Sequence, residues 1–559
     1  MRFRPRLLDT LPGYDRAQFA GDAGAGITVG VLALPLAMAF AIASGMSPTA
    51  GIWTAIVAGF LISLLGGSRV QIGGPTGAFI PIIYAIVVDY GVANLLIASM
   101  LAGLMLIAMG AFRLGSMIRF IPISVVIGFT NGIAVVIFLS QIKDFLGLQI
   151  GQLPGEFFGK ISTLAGALGT AHLPTVLLAV ASLTLLIGWN RLARRIRWMR
   201  RLPGPLGVLV IGTAVTALFG LPVDTIGSRF GGIPQAVPAL AFPDLDLSNL
   251  GKLIAPALTI AMLGAIESLL SARVADGQID DRHDPNQELL AQGVANVIAP
   301  LFGGFAATGA IARTATNIRS GGRTPVAGMI HALVLLAVVL ALAPLAHHIP
   351  LATLSAIVVM VSVHMGEWHA FKTLGRYSVA YRTVLLSTFF ITVVFDLTLA
   401  VELGLVMASL FFIHRVSDLT RIEPVAQDHA GADPRIQVFR LFGSLFFGAA
   451  NKLESLLVAA DTRPAVIVLS LDKVINIDTT GLEILQNLHR TLAKQGASLV
   501  LCELNAQPAS LIARSGFAAQ LGEANIVGSL EAALARASAC AAKTGELSPS
   551  PLAGASPVP

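Results

Sequence analysis

One long apolar stretch constrains this chain more than any other feature. From Asp22 to about His414 the sequence is almost continuously hydrophobic, interrupted by Gly, Pro and short charged loops. Only 12% of the 559 residues are charged and 55% are hydrophobic, whereas soluble domains carry about 25% charged residues. An apolar stretch of about 20 residues is long enough to cross a bilayer as a helix. The sequence therefore predicts an integral membrane protein with many helical spans and a polar C-terminal part.

The tripeptide Thr-Gly-Ala, followed by a large apolar residue, occurs once in each half of this stretch, in Gly73–Phe79 and in Ala307–Arg313. The dipeptides Ile121–Pro122 and Ile349–Pro350 recur at nearly the same offset, which indicates that the first half of the chain is repeated in the second. In both Thr-Gly-Ala copies a Gly-rich segment opens a short apolar run, as expected for a helix that is broken in mid-bilayer. Such breaks at corresponding positions of two repeats indicate a transporter's binding site; a chance tripeptide is the alternative.

The apolar segments number fourteen, seven in each repeat, and the third and tenth contain the Thr-Gly-Ala breaks. An odd number of spans per repeat inverts one repeat relative to the other. With a cytoplasmic N-terminus, most Arg and Lys residues fall in inner loops, as topology requires; Lys143 and Lys160 are the main exceptions. We therefore expect an α-helical membrane protein of two inverted seven-span repeats with two broken helices, plus a small cytoplasmic α/β domain. Both termini are then cytoplasmic.

Composition divides the chain into five segments. The polar C-terminal part alternates strand-like apolar runs with amphipathic helical segments, which indicates an α/β domain. Its last residues are rich in Ala, Ser and Pro, which is typical of disorder. The predicted boundaries are 1–21 for a cytoplasmic N-terminal segment, 22–416 for a transmembrane transport domain, 417–434 for a linker, 435–540 for the α/β domain and 541–559 for a disordered tail.

Several function classes are disfavoured. The net charge of +6 is modest, and the basic residues cluster at segment ends, so we expect no nucleic-acid partner. The cysteines, Cys502 and Cys540, and the histidines show no metal-ligand spacing, so no metal and no cofactor are expected. No nucleophile–base constellation stands out in the membrane part, so enzyme activity is not expected.

Arg313 is the strongest candidate binding residue. It lies within the first turn or so of the tenth span, where its cation and the helix N-terminus both favour an anion. Arginine at membrane depth costs roughly 2.5 kcal/mol or more and therefore indicates function. The alternative is an Arg that caps a helix or pairs with an acid such as Glu267.

Glu267 is the second candidate, a lone carboxyl in the otherwise apolar eighth span. Such a group either pairs with a cation or takes up a proton, and carriers use it as a proton relay. A structural pair with Arg313 or Arg273 is the alternative.

Several runs carry a resemblance to a known family: Gly26–Gly30, Pro35–Ala41, Gly73–Phe79, Gly128–Gly132, Gln141–Gly147 and Thr308–Arg313. They resemble the sulfate permease family of anion transporters, and Val474–Leu482 resembles the STAS domain that accompanies it. The likeness covers nearly the whole chain, and the first and tenth spans are most similar to bacterial members that carry C4-dicarboxylic acids. The family's usual Gln in the first span is Leu36 here, which removes one polar substrate contact.

The resemblance implies a secondary active transporter of small anions in the inner (plasma) membrane, with proton-coupled uptake of C4-dicarboxylates or related anions. A bicarbonate or sulfate carrier, possible sodium coupling, an anion channel, a nucleobase carrier of shared architecture and a STAS-based regulatory protein are the alternatives. The expected partners are the anion, the coupling proton or sodium ion, membrane lipid, a second copy of the chain and a cytoplasmic protein at the STAS domain.

Under this hypothesis the third and tenth half-helices meet end to end and hold the anion between them. Phe40, Phe79 and Ile311 would close the pocket, and Glu267 would bind the coupling ion. The predicted substrate-binding residues are Phe40, Thr76, Gly77, Ala78, Phe79, Thr308, Gly309, Ala310, Ile311, Ala312 and Arg313.

A regulatory site is predicted in the tail, at the strand-to-helix turn Asp478, Thr479, Thr480 and Gly481. In soluble relatives of the STAS module the second hydroxyl residue of this turn is phosphorylated, and Thr480 matches it by position. A phosphate there would lie at a helix N-terminus and be stabilised. The alternative is that Thr479 or Thr480 caps the helix.

Overall fold

The computed structural model describes residues 4–116, 122–151, 153–195, 203–243, 250–395, 397–425, 433–446 and 464–545. The chain forms two compact units, Met1–Val406 and Met407–Pro559. Ile121 of one repeated dipeptide, residues 426–432 of the predicted linker and residues 546–559 of the predicted tail lie outside the described residues.

The first unit is helical. In chain order its helices are α1 Arg6–Thr10, α2 Arg16–Ala43, α3 Pro48–Leu65, α4 Ile80–Ala111, α5 Ile123–Leu146, α6 Phe157–Gly166, α7 Leu173–Arg195, α8 Gly204–Phe219, α9 Ile226–Phe230, α10 Leu250–Ile279, α11 Pro285–Ile298, α12 Ile311–Arg319, α13 Pro325–Ala346, α14 Leu351–Met365, α15 Trp368–Lys372, α16 Val379–Val394 and α17 Leu397–Leu419, the last of which runs into the second unit. Two short strands, β1 Gly73–Gly74 and β2 Thr308–Gly309, precede α4 and α12.

Five helical stretches within the described residues are long and apolar enough to cross a membrane: α2, α3, Gly77–Ala111, α5 and α10. Other apolar helices, including α8 and α14, have only 10–17 residues. Gly91 interrupts α4 with a φ of +82°, between the residues that the sequence predicts as the third span, about 76–89, and as the fourth, about 92–111. The count of fourteen spans stays a prediction.

Local sequence explains where the helices begin and how closely they pack. Asp15 caps α2 by accepting a hydrogen bond from the amide of Gln18 over 2.7 Å. Gly103 on α4 and Gly293 on α11 face each other: a Cβ on either would lie 2.7 or 2.6 Å from the other's carbonyl oxygen. Small residues at such a contact let helix backbones approach closely in a membrane.

The second unit is a five-stranded sheet with helices. Its strands are β3 Arg421–Pro424, β4 Ile436–Leu445, β5 Val466–Ile477, β6 Ser498–Cys502 and β7 Ile526–Val527, in that spatial order. The pair β3–β4 is antiparallel and the other pairs are parallel. Its helices are α18 Thr479–Lys494, α19 Ala506–Arg514, α20 Phe517–Leu521 and α21 Leu530–Gly545.

Two predicted segments of this unit differ in the structure. Part of the predicted linker 417–434 forms the edge strand β3, where Ile422 packs against the core. The helix α21 continues to Gly545, five residues into the predicted tail, because Ala533, Ala537 and Ala541 repeat every four residues and form one buried face.

Candidate functional site

The two Thr-Gly-Ala segments lie side by side. Strands β1 and β2 pair antiparallel, with Gly73 opposite Gly309 and Gly74 opposite Thr308. A short 3-10 turn, Gly77–Phe79, leads from β1 into α4, and α12 begins directly after β2. We call the place where β1 pairs with β2 the crossing. Because the first amides of a helix have no intrahelical partner, both half-helices present N–H groups near this crossing.

Neighbouring elements fix the crossing with hydrogen bonds. The amide of Ala310 donates to Ile72 O over 2.8 Å, and the amide of Ile72 donates to Thr314 Oγ1 over 3.0 Å. Thr308 Oγ1 donates to Gly264 O on α10 over 2.9 Å. These bonds join the two broken helices to each other and to α10, so their short strands stay in register.

Arg313 lies at the centre of the crossing and is only 3% exposed. Its Nη2 donates to Pro75 O over 2.5 Å. Its Nη1 is buried and has no hydrogen-bond partner among the described residues, where no carboxylate lies within ion-pair distance of the guanidinium. A permanently charged group therefore has unused donors at the junction of two helix N-termini.

Glu267 contacts the same short segment. Its Oε2 accepts a hydrogen bond from Thr76 Oγ1 over 2.9 Å, and Thr76 follows the residue that binds Arg313. In the part of the chain that is described, neither Arg313 nor Arg273 forms an ion pair with Glu267. The structure thus lacks the structural pair considered above, and it connects the candidate acid and cation through Pro75–Thr76.

Aromatic residues surround the start of the third half-helix. Phe40 and Phe79 are 5% and 1% exposed, and a Cβ on Gly77 would lie 3.8 Å from Phe40 Cε1. Ile311, in contrast, is 37% exposed. The part of Ile311 in closing the pocket stays a prediction.

Two neighbours of the crossing were not singled out from the sequence. Gly74 has a φ of +143°, and a Cβ there would lie 2.6 Å from Arg313 Nη1. His331 on α13 is fully buried beside Gly59. The signal for Gly74 in the sequence was the Gly-Gly pair before Pro75. The signal for His331 was a lone His in an apolar helix.

Replacement of Gly74 by alanine is expected to lower anion uptake at least tenfold, because the new methyl group displaces the Arg313 guanidinium. The positive φ adds strain of about 1–3 kcal/mol for a non-glycine residue. Gly188→Ala is the matched control, since a Cβ there would meet nothing within 4 Å. Uptake into proteoliposomes, with melting temperature as the stability check, measures both; equal uptake by the two variants would contradict the steric role.

The predicted regulatory turn lies at the start of α18. Asp478 Oδ1 accepts a hydrogen bond from the amide of Gly481 over 2.7 Å, so Asp478 caps the helix. The alternative in which Thr479 or Thr480 caps it is therefore wrong, because the Asp478 carboxylate is the cap that accepts the amide hydrogen bond. Thr479 is exposed and Thr480 is half-buried. Phosphorylation of Thr480 stays a prediction.

Comparison with known proteins decides the family. Residues 19–388 match the sulfate permease family, and residues 429–533 match the STAS domain. The chain belongs to the sulfate permease family. Members of this family are membrane anion transporters and not enzymes, which excludes a catalytic function for the site at the crossing.

Individual relatives agree with this assignment. A protein named putative sulfate transporter YvdB from Bacillus subtilis is 42% identical over 531 residues, which cover 94% of this chain and 98% of the relative. The bicarbonate transporter BicA from Synechocystis is 32% identical over 504 residues, 86% of this chain and 87% of that protein.

Solved structures agree on the fold. The transmembrane domain of a cyanobacterial BicA is 34% identical, with a TM-score of 0.62, and covers 71% of this chain and 98% of that one. Murine Solute Carrier 26 family member A9, in its inward-facing state, is 19% identical with a TM-score of 0.85, over 96% of this chain and 94% of that one. The second likeness shows the shared fold of helical membrane transporter and STAS domain.

Proposed function

We propose that this protein is a secondary active carrier that binds a small anion between its third and tenth half-helices. The observation that supports this most directly is the buried guanidinium of Arg313, whose Nη1 has no partner among the described residues. Burial of a charge without a partner is costly, and an anion at the crossing would supply the missing acceptor. The helix N-termini that follow β1 and β2 would also stabilise the bound anion. The predicted residues Gly77, Ala78, Ala310 and Ala312 would contribute backbone rather than side-chain contacts.

Proton coupling through Glu267 is the second part of the proposal. The Glu267 carboxyl and the Arg313 guanidinium bind consecutive residues, Thr76 and Pro75. An anion that occupies the free donors of Arg313 would reduce the positive field at the carboxyl and favour its neutral form. Anion and proton would therefore bind together, as uptake driven by a proton gradient requires.

C4-dicarboxylates are the substrates we propose first. Leu36, Phe40 and Phe79 are apolar and nearly buried around the third half-helix. A hydrocarbon chain between two carboxylates matches such a wall better than an inorganic oxyanion, which presents acceptors in every direction. Bicarbonate is the second candidate, because two of the relatives reported above are bicarbonate transporters; sulfate is the third, from the name of the 42% identical relative.

Uptake by proteoliposomes that contain the purified full-length protein tests these proposals. The panel is labelled succinate, fumarate, bicarbonate and sulfate, each with and without an inward proton gradient and with sodium gradients as a comparison. We expect saturable succinate uptake that the proton gradient drives to accumulation. Accumulation of bicarbonate driven by sodium would favour the second candidate. A steady anion current that is coupled to neither the proton gradient nor the sodium gradient would favour a channel.

The location, topology, oligomeric state and domain division of the protein are part of the same proposal. The protein would lie in the inner membrane, in contact with lipid, with both termini in the cytoplasm and as a homodimer. The proposed division keeps 22–416 as the transport domain and 435–540 as the STAS domain, which would bind a cytoplasmic protein through the surface near Thr480.

Removal of the STAS unit is expected to leave anion affinity within a few-fold of the full-length value. Every residue of the proposed anion site belongs to the first unit, Met1–Val406. The cut is best placed after Thr420, since a chain that ends near residue 425 would leave β3, Arg421–Pro424, without its sheet. Uptake kinetics of the truncated and complete proteins measure the effect. Complete loss of binding in a monodisperse, truncated protein would show that the STAS unit forms part of the site.

A further inference from the structure

A second cavity lies beside the aromatic wall of the proposed anion site. Its volume is about 430 Å³, and α2, α4, α5, α6, α10 and α16 contribute to its lining. Ile80, which lines it, directly follows Phe79, and Ala43, which also lines it, is the last residue of α2. The cavity is therefore lined by the residue that follows Phe79 in the chain and by a residue three positions after Phe40.

The position of Ala43 identifies the face on which the cavity lies. The helix α2 begins at Arg16 and has 28 residues, which corresponds to about 40 Å of helix. The cavity is thus at the membrane face opposite the N-terminal segment. In the topology proposed above, this is the outer face, from which substrate enters.

Lys160 on the short helix α6 lines this cavity and is only 6% exposed. Its Nζ lies 5.7 Å from the centroid of the Tyr84 ring, and Tyr84 Oη donates to Leu153 O over 2.7 Å, which fixes the ring. No carboxylate of the described residues lies within ion-pair distance of this ammonium, and none of their acceptors forms a hydrogen bond with its Nζ.

A cation–π contact compensates the burial of an ammonium only in part. Asp89 is the other charged residue of the cavity lining. It is exposed, so water and salt screen its charge, and it does not pair with Lys160. The cavity therefore contains one cation, on a nearly buried side chain that has no carboxylate partner among the described residues.

We propose that Lys160 forms a capture site for the carboxylate or other oxyanion group of an incoming anion, before that anion passes Phe40 and Phe79 to reach Arg313. The inference rests on the proposed transport function. The Lys160 ammonium binds one anionic group as a point charge, and the apolar lining from Ile80 and Pro81 contacts the remainder of the ligand. The site recognises small anions from the outer face, and it raises their concentration next to the aromatic wall.

The test uses uptake kinetics of labelled succinate, or of the anion that the panel selects, in proteoliposomes with the full-length protein. Lys160→Gln is expected to raise KM about tenfold with little change in kcat, and Lys160→Arg to keep KM within about twofold of the unmodified protein. Lys252→Gln is the matched control, because Lys252 is exposed at the start of α10, near the same face. Unaltered KM in Lys160→Gln would overturn the capture site.

A chemical rescue separates charge from packing within one folded protein. In a Lys160→Cys variant with Cys540→Ser, a membrane-impermeant cationic methanethiosulfonate added from the outer face should restore the low KM, and an anionic one should raise KM further. Equal effects of both reagents, or no effect of either, would show that Lys160 acts through packing on Tyr84. If the unmodified protein transports no anion of the panel, the proposed function fails. If it transports an anion but KM does not depend on the charge at residue 160, only the capture site is overturned.

Discussion

Anion uptake is expected to fall below detection when Arg313 is replaced by alanine, while the protein stays folded. The guanidinium is the cation that the structure places, almost fully buried, at the crossing of β1 and β2. The two half-helix ends alone contribute about 0.3–1 kcal/mol each at an exposed site. Truncation of one partner of a buried charge pair costs about 2–5 kcal/mol, which corresponds to an affinity loss of about 30-fold or more.

Two further variants make this prediction specific. Arg313→Lys should retain partial uptake, since it keeps a point charge but loses the planar fork that reaches both Pro75 O and the anion. Arg319→Ala is the matched control, because Arg319 is exposed in the last turn of the same helix. Isothermal titration with succinate, together with proteoliposome uptake, measures both steps. Wild-type affinity in Arg313→Ala would contradict the proposed site.

The sequence was sufficient to locate the broken helices and their cation. The Gly-rich segments before each Thr-Gly-Ala copy cannot continue a regular helix, and their repetition in both halves predicted that they correspond. The structure places them together as β1 and β2. Arg313 was identifiable because a charge in an apolar run is rare.

The contacts of that cation could not be read from the sequence. Arg313 binds Pro75 O, and Glu267 binds Thr76 Oγ1; both are contacts between segments far apart in the chain, and one acceptor is a backbone carbonyl that no side-chain pattern reveals. The same applies to Gly74, whose positive φ and close approach to the guanidinium both arise from the tertiary fold.

Short elements were the other difficulty. The helix α6, which carries Lys160, was not predicted because its ten residues are too few to show a strong period. Strand β3 has four residues and a polar composition, so it resembled a linker. Thr479 or Thr480 was considered as the alternative cap of α18, whereas Asp478 precedes them and accepts the amide hydrogen bond of Gly481. For β3 and for the cap of α18, a hydrogen-bond partner decides the structure, and composition contains no record of it.

Glu267→Gln is expected to abolish proton-driven accumulation of the anion while leaving anion binding intact. Glutamine has the shape of the protonated carboxyl, and its amide oxygen can accept the hydrogen bond that Thr76 Oγ1 now donates to Glu267. The variant therefore keeps the neutral form of the site permanently. It still carries anion down a concentration gradient, but no proton can be bound or released at this position during the cycle.

The same variant has a defined pH behaviour. In the unmodified protein, anion binding occupies the donors of Arg313 and favours a protonated Glu267, so anion promotes proton uptake. Linkage requires the reverse effect to be equal: lower pH must tighten anion binding. In Glu267→Gln this dependence on pH should flatten, and the affinity should stay near the value that the unmodified protein reaches at low pH.

Uptake with and without an inward proton gradient, together with anion binding measured across pH, decides the role of Glu267. Glu402→Gln is the matched control, because Glu402 is an exposed acid on the membrane-unit part of α17 and should behave as the unmodified protein. Gradient-driven accumulation that persists in Glu267→Gln would assign the coupling to another group and leave Glu267 as a support for Thr76. Loss of anion binding in that variant would instead require an ionised carboxylate at the crossing, because the amide preserves the shape and the hydrogen bond but removes the charge.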